Sequence, residues 1–272
     1  MRILVTGAAG VVAGLTLARL LERYDVCLTD RRQPEQQWPA AFHLADLTDL
    51  PALCSLCRNI DVILHLGAEG QLSTWPQLWP SNLVGFHNVL LAARAAGCQR
   101  VIFASTIQVV AGYPAGMTVP AAAPPRPLSP YGLTKAIGET MAHHVALQGS
   151  ISVLCIRLGA VLPRTSTALY HGAADLDSVI TADDLARLWI AAIEAGTDLR
   201  FGIFHGLSAN RRQRLDLTET MKLLDYVPVD DAYELARQNG RRLTRRGKRM
   251  LGRMARRLQL SCPVLWNQAQ HG

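Results

Sequence analysis

The chain lacks any uninterrupted apolar run of about 18 residues, so no segment is expected to cross a membrane. Its first strand-like run begins at residue 2, which leaves no room for a signal peptide, and a cytoplasmic protein is expected. Charge is scarce, at 18% of residues against 49% hydrophobic, which describes a globular chain with a sizeable core rather than a disordered one. No second pair of ligands stands at comparable spacing to Cys54-Ser-Leu-Cys57, so no metal site is expected. On a helix those two thiols share a face and read as buried and reduced, redox chemistry being the other reading of the spacing. Acidic residues are missing altogether from 240–258, a stretch with nine arginines and lysines. These nine exceed the +7 net charge of the whole chain, so the remainder is close to neutral. No aromatic residue interleaves them, which excludes stacking on single-stranded bases, and no specific nucleic acid is expected. There is no internal repeat.

What is present begins at once. The apolar run Ile3-Leu4-Val5 leads into Thr6-Gly7-Ala8-Ala9-Gly10, followed by a helical pattern of Val11, Val12, Leu15, Leu17, Leu20 and Leu21. A glycine-rich turn between a strand and a helix lets the backbone approach a pyrophosphate and points unpaired N–H groups at it. The next strand closes on Asp30, which strengthens the signal considerably. Apolar runs at 2–6, 25–29, 41–44, 60–66, 100–105, 151–157 and 201–205 alternate with helical patterns near 11–23, 49–58, 81–97, 131–148 and 182–195. That alternation predicts an α/β fold with a doubly wound parallel sheet and helices on both faces. Six prolines between 114 and 130 mark a long loop ahead of a helix start, a plausible wall for an active site.

Chemistry is expected at that helix. Tyr131 and Lys135 stand at i and i+4 and share one face. An ammonium there would lower the ordinary phenol pKa of about 10 toward a usable base. By itself such a pair also reads as a surface contact. The strand ending in Ser105-Thr106, however, brings two hydroxyls to the same sheet edge.

Together these landmarks resemble an extended short-chain dehydrogenase/reductase of the NAD-dependent epimerase/dehydratase type, over roughly residues 1–232. The matching residues are Thr6-Gly7-Ala-Ala-Gly10, Asp30, Asp46-Leu47, His65-Leu66-Gly67-Ala68, Asn82-x-x-Gly85, Ser105-Thr106, Tyr131-x-x-x-Lys135, Arg157 and Thr181-Ala-Asp183-Asp184. The resemblance implies a Rossmann core that binds NAD and transfers hydride to or from a sugar-like hydroxyl or carbonyl. It assigns the pyrophosphate to Gly7, Gly10, Val11 and Val12, and the adenosine ribose to Asp30. It assigns the adenine to Asp46 and Leu47, and the linking ribose region to Leu66, Gly67 and Ala68. Asn82 falls on the nicotinamide side, where Lys135 also binds the ribose. Tyr131 becomes the acid/base, and Thr106 takes the place of the family's usual serine. Ala13 replaces the third glycine of the fingerprint, an accepted substitution.

Asp30 favours NAD over NADP, although Arg31 or Arg32 could neutralise a 2′-phosphate instead of being solvated. For the substrate, the short 158–180 segment and the Gly206–Asp230 region resemble the compact uronate dehydrogenase branch. Glu69, Gly70, Thr106, Gln108 and Arg164 are the candidate substrate contacts. Arg164 is displaced from where that branch carries its carboxylate-binding arginine, and Ile107-Gln108 replaces polar residues. An epimerase or reductase acting on a nucleotide-sugar or natural-product intermediate, and a non-catalytic NAD(H)-binding regulator, are the other readings. Residues 1–157 are expected to form the dinucleotide-binding core, 158–240 a substrate-side region interleaved with it, and 241–272 a basic tail. In that tail Met250, Leu251, Met254 and Leu258 recur at helical spacing, with Gly247 and Gly252 each weakening a helix by about 1 kcal/mol. Two readings of the tail stand: a helix packed on its own body or on a neighbouring subunit, or a segment for an anionic surface. A homodimer is expected.

Overall fold

The structure, a computed structural model, describes residues 1–70, 72–149, 151–169 and 175–242. It begins with β1 (Arg2–Thr6), α1 (Val11–Leu21), β2 (Asp25–Asp30), β3 (Ala41–Leu44), α2 (Leu50–Leu56) and β4 (Val62–His65). Then come α3 (Trp75–Leu78), a π-helical stretch over Trp79–Gly85, α4 (Phe86–Ala96), β5 (Arg100–Thr106) and α5 (Pro130–Leu147). The rest comprises β6 (Ser152–Leu158), β7 (Ala160–Leu162), β8 (Val179–Thr181), α6 (Ala182–Glu194), β9 (Phe201–Gly206), α7 (Thr218–Leu224) and α8 (Ala232–Arg242).

Seven strands form one sheet in the order β3-β2-β1-β4-β5-β6-β9, every neighbouring pair parallel. β5 and β6 are buried along their whole length, as expected of central parallel strands covered on both faces. On one face, Leu17 and Leu20 of α1 pack with Leu185, Leu188 and Trp189 of α6 against Ile3, Val5, Ile102 and Ile156. On the other, α2, α4 and α5 bring Leu53, Phe86, Val89 and Ala142 against Leu4, Ile63, Phe103 and Cys155. The expected doubly wound sheet is therefore present. Ala13, at the place of a fingerprint glycine, is fully buried in the first of these cores.

Four features were not expected. Helical structure starts at Trp75 rather than 81, because Pro76 sits in the first turn behind an N-capping Thr74 paired with Gln77. Pro80 is absorbed in the π-helical stretch, so it does not break the run. β7 and β8 form a separate parallel pair, too short to show a period. α7 and α8 follow β9. Beyond Arg241 and Arg242 the basic tail lies outside the described residues.

The amino-terminal edge of β5 carries a fixed charge. Arg100 is buried and donates through Nε to Ser152 Oγ (3.1 Å), through Nη1 to the carbonyls of Ala192, Ile193 and Ala195 (3.1, 3.2 and 2.7 Å), and through Nη2 to Gly196 (2.7 Å). These include the carbonyls a helix end leaves without backbone donors, so one guanidinium from β5 caps the end of α6. Arg100→Met should lower the free energy of unfolding by about 2–4 kcal/mol, since it strands several buried acceptors. A urea titration reads this, and an unshifted midpoint would count against the cap.

Candidate active site

The carboxyl ends of β1, β2 and β4 open into a cleft of about 250 Å³ lined by Gly7, Gly10, Asp30, Arg31, Asp46, Leu47, Leu66, Gly67, Ala68, Glu69 and Gly70. Gly7 has φ +71°, and a Cβ on it would lie 2.5 Å from the Gly67 nitrogen. Only glycine lets these two turns meet. Gly10 N–H donates to Gly7 O at 2.9 Å, and Gly10 begins α1 without any side-chain cap. The first-turn N–H groups and the positive end of the helix dipole therefore face the cleft, a setting suited to a phosphate anion. Val11, in that first turn, is exposed, while Val12 packs against the α1/α6 core.

Asp30, at the end of β2, is held by two backbone donors, Ala9 N at 3.0 Å and Arg32 N at 3.2 Å. Its neighbour Arg31 forms an ion pair with Glu69. Asp46 accepts from both the N–H and the hydroxyl of Thr48, and these bonds hold its carboxyl below the usual range. The Asp46–Thr48 turn is tied down in turn by Asn88 Nδ2, which donates to Leu47 O (3.0 Å) and Thr48 O (3.2 Å). These groups fit an adenine dinucleotide: a glycine cradle, an uncapped helix start and a fixed carboxylate at the second strand end.

A second group of side chains stands at the ends of β5 and β6 and the start of α5. Asn82, buried in the π-helical stretch, accepts from Glu69 N (2.8 Å) and donates to Glu69 O (3.2 Å) and Thr134 Oγ1 (3.1 Å). It locks the loop after β4 to α5. Ser129 caps α5 by accepting from Gly132 N (3.0 Å) and donates to Gln108 Oε1 (2.7 Å). A Cβ at Gly132 would lie 2.7 Å from Gln108 O, so glycine is what lets α5 close on the turn after β5. The hydroxyl of Thr106 accepts from Gln108 N at 3.3 Å.

Ser105 points elsewhere. Its hydroxyl donates to Glu139 Oε1 at 2.6 Å, and Glu139 also receives Arg157 Nε (2.9 Å) and Nη2 (2.8 Å). Both charged partners are almost fully buried. Sequence reasoning named Arg157 without a role and missed Glu139, although Tyr131, Lys135 and Glu139 form an i, i+4, i+8 row along α5 that would have pointed to it. Of the two adjacent hydroxyls, only that of Thr106 is outside this ion-pair network.

Lys135 Nζ donates to Ala104 O at 2.7 Å and lies 5.9 Å from the Tyr131 ring centre. Burial pulls its ammonium down to about 7, against smaller upward pulls from Cys155 and Glu139. Burial likewise pushes the Tyr131 phenol up to about 12. The lowering expected of Tyr131 calls on a positive nicotinamide ring as well as on the lysine; in the chain alone, burial is the cause that moves the phenol.

Three candidate substrate contacts are already engaged within the protein. The Glu69 carboxylate turns to Arg31 and Ser73. Gln108 is joined to the α5 cap. Arg164 pairs with Asp230 (3.1 Å) and Asp183 (3.8 Å). Those acids belong to an anchor that the Thr181–Asp184 motif builds. Thr181 Oγ1 donates to Asp230 Oδ2 (2.6 Å), and Asp184 accepts from Val229 N (2.9 Å) and Asp230 N (3.0 Å). Among the described residues no group of three or more His, Cys, Asp or Glu side chains could hold a metal ion, and no helix is long and apolar enough to cross a membrane.

A model of the NAD dependent epimerase/dehydratase family matches residues 3–182. The chain is 32% identical to the uronate dehydrogenase of Pseudomonas syringae pv. tomato, over 85% of this chain and 82% of that one. It is 30% identical to the L-arabinose 1-dehydrogenase (NAD(P)(+)) of Haloferax volcanii, over 85% of this chain and 97% of that one. Among solved structures it resembles a variant of the uronate dehydrogenase from Agrobacterium tumefaciens complexed with NAD, at 26% identity and a TM-score of 0.80, covering 89% of this chain and 90% of that one.

Behind the cleft, His65 Nδ1 shares a 2.7 Å hydrogen bond with Thr6 Oγ1, and the ring lies nearly parallel to those of Phe86 and Phe103, with centroids 5.0 and 5.9 Å away. Burial first, and then Lys135, pulls its pKa down to about 3. His205 at the end of β9 falls to about 4, chiefly through burial. An unfolded chain protonates both near pH 6.5, so the folded form binds fewer protons between these values. Their contribution to stability is complete above about pH 6.5 and is lost as the pH falls toward about 4 and then 3. The thermal midpoint should therefore drop between about pH 7.5 and 5, and His205→Asn should flatten part of that slope. A midpoint independent of pH over this range would contradict the buried, neutral imidazoles.

Proposed function

Since the chain belongs to the NAD-dependent epimerase/dehydratase family, we propose that it is an NAD-dependent dehydrogenase that oxidises a hydroxyl carbon of a sugar or sugar-like substrate. The observation that carries this reading is the convergence of Thr106, Tyr131 and Lys135 at one sheet edge, beside a cleft shaped for an adenine dinucleotide. Gly7, Gly10, Val11 and Val12 are assigned to the pyrophosphate, Asp30 and Arg31 to the adenosine ribose region, and Asp46 and Leu47 to the adenine. Leu66, Gly67 and Ala68 are assigned to the linking region, with Asn82 and Lys135 on the nicotinamide side. Asp30, already fixed by two backbone donors, supports NAD over NADP.

A bound NAD would supply the hydride acceptor, and its positive ring would oppose the upward push of burial on the phenol. The chain's own groups handle the proton. Tyr131, as phenolate, takes the substrate hydroxyl proton while the C–H electron pair leaves as hydride, and a carbonyl results. Thr106 donates to the same substrate oxygen and fixes its position. Lys135 contributes the ammonium that favours the phenolate, and Ala104 O holds it in place. Relatives named for uronate and for arabinose leave both acidic and neutral sugars in view. The pairing of Arg164 with Asp230 and Asp183 supports a substrate bound without a carboxylate at that guanidinium. The reading divides the chain into a nucleotide and catalytic part (1–157) and a substrate-side part (158–240) that returns β9 to the main sheet. Free thiols at Cys27, Cys54, Cys57, Cys98 and Cys155 fit the reducing cytoplasm.

The reading also includes a homodimer, with a second copy seated on the largely apolar groove of about 450 Å³ between α4 and α5, where Leu91, Ile137 and Met141 line the floor. Ile137→Arg should shift the sedimenting species from dimer to monomer. A wild-type chain that sediments as a monomer at all concentrations would refute this part.

The function is tested by offering NAD with a panel of aldoses and uronates and following NADH absorbance. On the substrate so found, Tyr131→Phe should lower turnover by about 10²–10⁴, the range for loss of a positioned acid/base, with the NAD dissociation constant nearly unchanged. Near-normal turnover in that variant would remove Tyr131 from the mechanism.

A further inference from the structure

Arg31 stands directly after Asp30 at the mouth of the cleft, where a cation would be expected to meet a 2′-phosphate. In the structure its guanidinium is instead in an ion pair with Glu69. This is a contact between residues far apart in sequence, and three observations show that it is built rather than incidental. Glu69 is positioned by its own backbone, since buried Asn82 accepts from its N–H and donates to its carbonyl. Its side chain is 22% exposed against 57% for Arg31, so the carboxylate is the fixed partner and the guanidinium the one drawn in. Its second oxygen receives Ser73 Oγ at 3.4 Å.

The surroundings add to the effect. The cleft mouth holds two cations, Arg31 and Arg32, against three carboxylates, Asp30, Asp46 and Glu69. Asp30 is fixed by Ala9 N and Arg32 N, and Asp46 by Thr48. A phosphate monoester carries about −1.5 to −2 charges near neutrality. Arriving at this mouth, it would enter a region of net negative charge and compete with Glu69 for the guanidinium's donors.

Resting on the cofactor assignment above, we propose that Glu69 is a specificity-determining residue that acts by withholding Arg31 from the 2′-phosphate of a phosphorylated dinucleotide. Preference for NAD then depends on two carboxylates: Asp30 at the ribose hydroxyls and Glu69 on the neighbouring guanidinium. The role differs from the substrate contact expected of Glu69 on sequence grounds, because its carboxylate faces the arginine of the nucleotide cleft.

The experiment compares adenosine 2′,5′-bisphosphate with 5′-AMP by calorimetry on the full-length wild type, Glu69→Gln, Arg31→Ala and the Glu69→Gln/Arg31→Ala double variant. The amide keeps the shape of the side chain and its bond to Ser73 while removing the charge. Glu69→Gln should tighten the bisphosphate by about tenfold, as for one new charge-assisted contact, with 5′-AMP within about twofold of wild type. That gain should vanish in the double variant. Unchanged selectivity in Glu69→Gln, or a gain that survives without Arg31, would overturn the role of Glu69. Failure of the wild type to bind 5′-AMP or NAD would overturn the cofactor reading, and this inference with it.

Discussion

The Glu139–Arg157 ion pair is the constraint around which the catalytic edge is arranged. It joins α5 to β6, receives Ser105 from β5, and through Arg157 Nη1 holds Ala121 O of the proline-rich loop at 3.3 Å. Burying two charges is costly, and such a pair is weak evidence for stability, but removing one partner alone leaves an uncompensated charge in the core. Its consequence here is positional. Ser105 is drawn inward, so the next residue, Thr106, presents its hydroxyl at the strand end. Glu139 fixes the row that also carries Lys135 and Tyr131.

Within that frame, desolvation governs the chemistry. It moves Lys135 down to about 7 and Tyr131 up to about 12, each toward its neutral form. The pair is therefore poised to respond to an added positive charge: the phenol gains most from it, having been displaced by burial alone. The lysine's own charge is supported by Glu139 and anchored on Ala104 O. A side-chain pair that reads in sequence as a simple acid/base couple is, in three dimensions, a couple whose balance is set by what surrounds it.

The alternation of strands and helices, the glycine turn and the Tyr131/Lys135 face were legible because each is local. A strand of four to seven residues, a turn and a helical stripe fit within a short window of sequence. What was not legible depends on partners far along the chain. Glu69 finds Arg31 and Arg164 finds Asp230, and neither choice can be read from spacing. The start of α3 was hidden because prolines at 76 and 80 look like breakers. In the structure one occupies a first turn, and the other a π-helical stretch that does not require its missing N–H. β7 and β8 have three residues each, too few for a period to register.

Arg100 shows what the remaining edge of the sheet is for. Its contacts with the carbonyls of residues 192–196 lie at the amino ends of the strands, opposite the groups that bind and react. The tie to α6 and the chemistry thus lie at different rims of one sheet. The loops at the reactive rim can change length or side chains without loosening the cap beneath α6. A chain built in this way can acquire a new substrate by varying one rim while keeping the α6 cap at the other.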